Sequence, residues 1–122
     1  MKGPFLIVED EPIVREALVD ILEAVGVTAL AAANARDGIQ IYRSHYQEIE
    51  LVVLDMRLPE MDGTHVLRSL RHINPGVRAI LASGCDVEEI GREFSNDPFV
   101  HVLQKPFDMK GFLRVVESAL RY

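Results

Sequence analysis

The chain has 122 residues, 48% of them apolar, and a net charge of −6 at neutral pH. That is enough apolar material for the core of one compact domain and excludes a disordered tract. The negative balance argues against a nucleic-acid surface, and no apolar run approaches the ~20 residues that cross a bilayer. The start, MKGPFLIVEDE, holds too short an apolar run for a signal peptide, so a cytoplasmic location is expected. Cys85 is the single cysteine, which excludes an intrachain disulfide. His45, His65, His72 and His101 are scattered and form no metal-ligand spacing with it; they read as structural or surface residues.

The first predicted strand is Phe5–Val8, followed at once by Glu9 and Asp10. Pro12 suits the first turn of a helix, where its missing N–H costs nothing. That helix runs to about Val25, with Ile13, Val14, Ala17, Leu18, Ile21, Leu22 and Val25 on one broad apolar face, and Gly26 stops it. Residues 27–33, VTALAAA, predict a second strand. Asn34 is placed to cap the next helix, whose stripe is Ala35, Ile39, Tyr42 and Tyr46.

Leu51–Leu54 is a continuous apolar run that ends in a carboxylate, Asp55, as expected of a strand buried on both faces. Pro59 and Gly63 mark the loop after it. A helix over 63–73 turns Val66, Leu67, Leu70 and Ile73 inward, and Asn74-Pro75-Gly76 ends it. Arg68, Arg71 and His72 on this helix read as a solvated basic face. Residues 77–82, VRAILA, predict the fourth strand, with Ser83-Gly84 after it. A short helix spans about 86–94, a fifth strand 99–103, and Asp108 caps a last helix that buries Phe112, Leu113, Val116 and Leu120.

Strands and helices therefore alternate five times. A (βα)5 pattern implies an α/β fold, a doubly wound parallel sheet of the flavodoxin-like type, for which the strand order 2-1-3-4-5 is common. All carboxyl ends of such a sheet lie on one edge. The residues expected there are Glu9 and Asp10 from strand one, Asp55 from strand three, Ser83 from strand four and Lys105 after strand five. Strands one and three are neighbours at the topological switch point, so Glu9, Asp10 and Asp55 converge. Three carboxylates in one cleft demand a compensating cation, and hard oxygen ligands suit Mg²⁺. With Lys105 and the Ser83 hydroxyl beside it, such a site can hold a phosphoryl group, and a carboxylate can be the nucleophile that takes it.

The pieces LIVEDEP (6–12), LVVLDMRLPEMDG (51–63), ILASG (80–84) and LQKPF (103–107) resemble the receiver domain of two-component response regulators, the chemotaxis-regulator type. The resemblance covers essentially the whole of residues 1–122, as a single receiver domain. It implies that Asp55 accepts a phosphoryl group from a phosphohistidine on a sensor histidine kinase or histidine phosphotransfer domain. It implies Mg²⁺ (or Mn²⁺) held by Asp10, Asp55 and the backbone carbonyl of Arg57, with Glu9 helping through water. Ser83 then hydrogen-bonds the phosphoryl group, Lys105 pairs with its charge, and a cis peptide bond precedes Pro106. Self-phosphorylation and self-dephosphorylation are the only chemistry implied, with no external substrate turned over.

Phosphorylation adds charge and acceptor oxygens at Asp55 and biases an existing two-state equilibrium. Many receivers carry Tyr or Phe three residues before the Lys of the last strand; here that position is Val102. The signal is accordingly expected to travel through the 83–85 loop and the 86–94 helix. Arg57 and Cys85 occupy the positions that tune phosphoryl lifetime in the family, and point to slow or moderate self-dephosphorylation. ILASG before an acidic helix start, with FVHVLQKPF later, looks like the receivers of hybrid histidine kinases.

A phosphatase with an aspartyl nucleophile is a weaker reading, because Arg57 stands where a second acid is needed. So is a pseudo-receiver that acts as a phosphorylation-independent interaction module, because Glu9, Asp10, Asp55, Ser83 and Lys105 are all intact. A flavin-binding domain of similar topology would need a phosphate-binding loop where this chain has acids. No direct contact with nucleic acid or membrane is expected. The 86–94 and 108–122 helices offer a homodimer face, the last through Val115, Ala119 and Tyr122.

Overall fold

The computed structural model describes residues 2–121. Its elements are β1 (Phe5–Val8), α1 (Pro12–Ala24), β2 (Ala29–Ala32), α2 (Ala35–His45) and β3 (Leu51–Asp55), then α3 (Gly63–Ile73), β4 (Ala79–Ser83), α4 (Val87–Glu93), β5 (Val100–Gln104) and α5 (Met109–Ala119). The strands form one parallel sheet in the order β2-β1-β3-β4-β5, as the alternation predicts. No helix among the described residues is long and apolar enough to cross a membrane.

Every residue of β1, β3 and β4 is buried, because helices cover both faces of the sheet. Side chains alternate between two cores, as the strand period of two requires. Leu6, Val8, Val52, Leu54 and Leu81 pack with Tyr42, Leu67 and Leu70. Phe5, Ile7, Val53 and Ile80 pack with Leu18, Leu22, Phe112 and Val116. Asn34, Asp62 and Asp108 cap α2, α3 and α5, each accepting the backbone N–H three residues on. Gly38 lets α2 lie directly on β1: a Cβ there would come within 2.7 Å of Val8 Cγ2.

Several boundaries differ from the sequence pattern for identifiable reasons. The second strand loses Val27 and Thr28, because the Val27 N–H turns back to the Leu22 carbonyl and finishes α1. The fourth strand starts two residues late, because the Val77 N–H closes the Asn74 turn. It then runs through Ser83, so Ser83, like Asp55, is the last residue of a strand and not the first of a loop. The fifth strand is shifted by one residue, to Val100–Gln104.

Some side chains also depart from their expected faces. Ile13 is 84% exposed, since α1 turns Leu18 and Leu22 into the core and leaves its first turn clear of the sheet. Val25 is exposed at the end of that helix. Arg71 is not solvated but half-buried in an ion pair with Asp97 of the loop after α4. Ala119 is buried against the α5 side of the core and Val115 packs beside it, so that part of the expected dimer face is already covered. Tyr122 lies outside the described residues.

His101 shares the face of Leu103 on β5, and its Nδ1 is buried with no hydrogen-bond partner. Burial, and then the nearby charge of Arg78, lower its pKa below the ordinary 6.5. A histidine depressed in the folded state binds more protons when unfolded, so its contribution to stability is lost as pH falls below 6.5. Urea unfolding should therefore show His101→Val gaining stability relative to wild type between pH 7.5 and pH 5.5. A constant difference across that range would contradict the assignment.

Candidate functional site

The carboxyl ends of β1, β3, β4 and β5 build one cleft. Parallel strands deliver Glu9, Asp55, Ser83 and Lys105 to the same edge because β1, β3, β4 and β5 are consecutive neighbours in register. Glu9 (2% exposed), Asp55 (6%) and Ser83 (2%) are the buried polar residues of the described chain, and Asp10 is half-buried. Single carboxylate oxygens of Glu9, Asp10 and Asp55 lie within 4.8 Å of one another.

Lys105 reaches into this cluster. Its Nζ stands 2.7 Å from Glu9 Oε1 and 3.4 Å from Asp55 Oδ2. Burial by itself lowers the lysine pKa, but the Glu9 hydrogen bond and the charges of Asp55 and Glu9 outweigh it and hold the ammonium above its usual range. Burial has the opposite result at Glu9. It pushes the carboxyl up to about 7, against the Lys105 and Glu11 hydrogen bonds, with Asp55 adding repulsion.

The backbone holds the acids in place. The Glu11 N–H donates to Glu9 Oε2 at 3.2 Å, and the Arg57 N–H donates to Asp55 Oδ1 at 3.1 Å. Gly63 brings the start of α3 against this segment. A Cβ there would lie 3.1 Å from the Asp55 carbonyl oxygen and 2.8 Å from Met56 Sδ. The Lys105–Pro106 peptide bond is cis.

Ser83 does not face Asp55 with a free hydroxyl. Its Oγ donates to the Cys85 carbonyl and accepts from the Cys85 N–H at 3.3 Å, so it is tied into its own loop. Arg57 turns its side chain across the cleft mouth, with Nη2 at 2.6 Å from Cys85 Sγ and 3.2 Å from Asp86 Oδ2. Val102 packs on the core face shared with α4 and carries no polar group toward the cleft.

Two contributors escaped the sequence reading. Arg15, on the first turn of α1, donates to the backbone carbonyl of Glu9 at 2.9 Å and of Asp10 at 3.4 Å. It steadies the acidic pair and adds a positive charge beside it. Asp86, the partner of Arg57, reads in the sequence only as the start of a helix. Both act on backbone or on a residue far along the chain, which spacing alone does not reveal.

The model of the response regulator receiver domain family matches residues 5–117. The chain belongs to that family. It is 35% identical over 115 residues to the sensor kinase CckA of Brucella abortus, which covers 94% of this chain and 12% of that protein. It is 31% identical over 120 residues to the probable C4-dicarboxylate response regulator DctR of Bacillus subtilis, covering 96% of this chain and 52% of that protein. The chain thus spans from about an eighth to about half of the length of these curated relatives. Among solved structures, it superposes on the Borrelia burgdorferi CheX–CheY–BeF3–Mg²⁺ complex with a TM-score of 0.88 at 27% identity, covering 98% of this chain and 92% of that one. The receiver domain of the hybrid histidine kinase CckA gives 0.82 at 26%, covering 99% and 100%.

The donor set suits a hard divalent cation, since three clustered carboxylates offer only oxygen. Burial raises the Glu9 carboxyl to about 7, so its negative charge joins the cluster only near that pH. The sign follows: a carboxyl raised in the folded state costs stability as pH climbs from its unfolded value of 4.5 through about 7. A bound cation would relieve that cost. Thermal melts with and without Mg²⁺ should therefore show a larger cation-induced rise in Tm at pH 8 than at pH 5.5. Glu9→Gln should reduce the difference, and an equal rise at both pH values would contradict it.

Proposed function

We propose that residues 2–121 act as one receiver domain in which Asp55 is the phosphoacceptor. The convergence of Glu9, Asp10, Asp55, Ser83 and Lys105 at one sheet edge carries this reading. The chain is a receiver domain of two-component response regulators, a signalling module. The residue roles within it are the proposal.

An Asp55 carboxylate oxygen attacks the phosphorus of a phosphohistidine. The new P–O bond forms as the P–N bond breaks, and the imidazole leaves with the electron pair. Asp10, Asp55 and the Arg57 carbonyl, with Glu9, would hold Mg²⁺, which when bound neutralises charge developing on the phosphoryl oxygens. Lys105 already sits 3.4 Å from Asp55 Oδ2 and pairs with the transferred group. Ser83 must leave the Cys85 carbonyl to donate to it, which moves the loop before α4. That supports signalling through the 83–85 loop and α4, with Val102 passive. Location in the cytoplasm follows from this role.

Intact-mass measurement after incubation with acetyl phosphate and Mg²⁺ tests the role of Asp55. Wild type should carry a labile phosphoryl adduct that Asp55→Asn lacks. With Arg57 covering the cleft mouth and Cys85 offering no strong base, the adduct should persist for minutes or longer. No adduct would overturn the reading, and loss within seconds would overturn the lifetime assignment.

The donor partner is expected to be a histidine kinase or histidine phosphotransfer domain, docking beside the cleft. Ile13, Val14 and Ala17 of α1 face Gly84, Lys105, Pro106 and Phe107 across a cavity of about 520 Å³. It is largely apolar and opens next to Lys105, and Ile13 stands exposed at its rim. Ile13→Glu should slow transfer from a phosphohistidine donor at least tenfold, a loss of about 1.4 kcal/mol. Phosphorylation by acetyl phosphate, which needs no docking, should be unchanged; equal losses with both donors would rule out a docking role.

A further inference from the structure

The loop between β4 and α4 is held in a conformation that its own sequence does not favour. Asp86 precedes α4 and has a positive φ of 62°, the one non-glycine residue with positive φ among those described. A residue with a Cβ rarely adopts this conformation, although Asp tolerates it better than most. In that state Asp86 does not cap its helix. Asn34, Asp62 and Asp108 each accept the third amide of their helices, whereas the Asp86 side chain makes no such bond. Its carboxylate is turned instead to Arg57 Nη2 at 3.2 Å, with Cys85 Sγ 3.4 Å away.

Arg57 is the other half of the arrangement. Its backbone N–H is bonded to Asp55 Oδ1, so its Cα stands beside the phosphoacceptor proposed above. Arg57, Ser83 and Asp86 line one cavity of about 320 Å³ between the start of α3 and α4. The Arg57–Asp86 pair is exposed on both sides, 70% and 52%, and exposed pairs are weak and easily exchanged. A phosphoryl group is a far stronger partner for a guanidinium than one exposed carboxylate, because it brings about two charges and several acceptor oxygens.

We infer that Arg57 and Asp86 form a partner-exchange latch that reads the state of Asp55. In the unmodified protein Arg57 holds Asp86 in the left-handed conformation and the α4 amides go uncapped. When Asp55 carries a phosphoryl group, Arg57 moves to it. Asp86 is then released to the extended conformation of an ordinary N-cap and can bond the α4 amides. The exchange couples the cleft to α4 without an aromatic lever at position 102. It rests on the reading of Asp55 as phosphoacceptor, and it is a bias between two arrangements that both exist before phosphorylation.

The test is a double-mutant cycle on the affinity for beryllofluoride, a phosphoryl mimic, in the presence of Mg²⁺. Asp86→Asn keeps the capping side chain and removes the charge that competes for Arg57. It should tighten beryllofluoride binding about two- to five-fold, the range an exposed ion pair spans. In an Arg57→Ala background the same change should give little gain. As a second readout, the amide resonances of Asp86 and Val87 should move on adding beryllofluoride to wild type. In unliganded Arg57→Ala they should already be displaced in the same direction. Equal gains with and without Arg57 would report only the lost negative charge and overturn the latch, as would no gain at all. A wild-type protein that binds no beryllofluoride would instead overturn the phosphoacceptor reading beneath it.

Discussion

The ammonium of Lys105, lodged between Glu9 and Asp55, is the interaction on which the site depends. Three carboxylates within 4.8 Å repel one another at any ordinary protein dielectric, and two of them are almost fully buried. Lys105 offsets part of this repulsion, and burial raises the Glu9 carboxyl to about 7, which limits the charge the cluster carries below that pH. The lysine comes from the far end of the chain, 96 residues after Glu9, and directly follows β5. Arg15 adds a further positive group from behind, on the carbonyls of Glu9 and Asp10. The charge of the cluster is therefore set by Glu9: it turns net negative as that carboxyl ionises near pH 7.

This cluster requires the sheet to be built closely around the cleft. Gly63 and Gly38 are positions where a side chain would collide with the end of β3 and the residue after it, at the Asp55 carbonyl and Met56, and with β1, at Val8. Without those approaches, α2 and α3 would stand off the sheet and the strand ends would be open to water. Buried strands fix the carboxylates through backbone geometry, whereas Arg57, Cys85 and Asp86 sit on exposed loops held by weak bonds. A firm base and a loose rim are what a phosphoryl-binding switch needs. The base fixes the geometry, and the rim is free to rearrange under the charge change proposed for Asp55.

The parts legible in the sequence were those governed by local rules. Four-residue apolar runs at Phe5–Val8 and Leu51–Leu54, each ending in acid, mark strands whose ends point at one edge, and alternation supplies the order. The convergence of Glu9, Asp10, Asp55, Ser83 and Lys105 follows from that order alone. What the pattern hid depends on tertiary packing. Ile13 belongs to a helical stripe by spacing, but the helix overhangs the sheet and leaves it exposed. Ala119 looks peripheral by spacing but is sealed into the core. Arg71 looks solvated until the loop at Asp97 folds back on it. The contacts of Arg15 with carbonyls, and of Arg57 with Asp86, leave no periodic trace.

Val102 makes this distinction matter for signalling. A valine packed on the α4 side has no polar end to follow Ser83 and no long ring to swing. Communication from the cleft must then use groups that do have two arrangements available. Ser83 has one bond to exchange, from the Cys85 carbonyl to an incoming acceptor. Asp86 has another, from Arg57 to the uncapped start of α4, and its positive φ means the present arrangement is not the one its backbone prefers. Ser83 ends β4 and Asp86 is the last of the three residues that separate it from α4. On the proposed reading of Asp55 as phosphoacceptor, a single charge change there acts on two neighbouring hydrogen-bonding groups at once, and α4 is the element that both of them border.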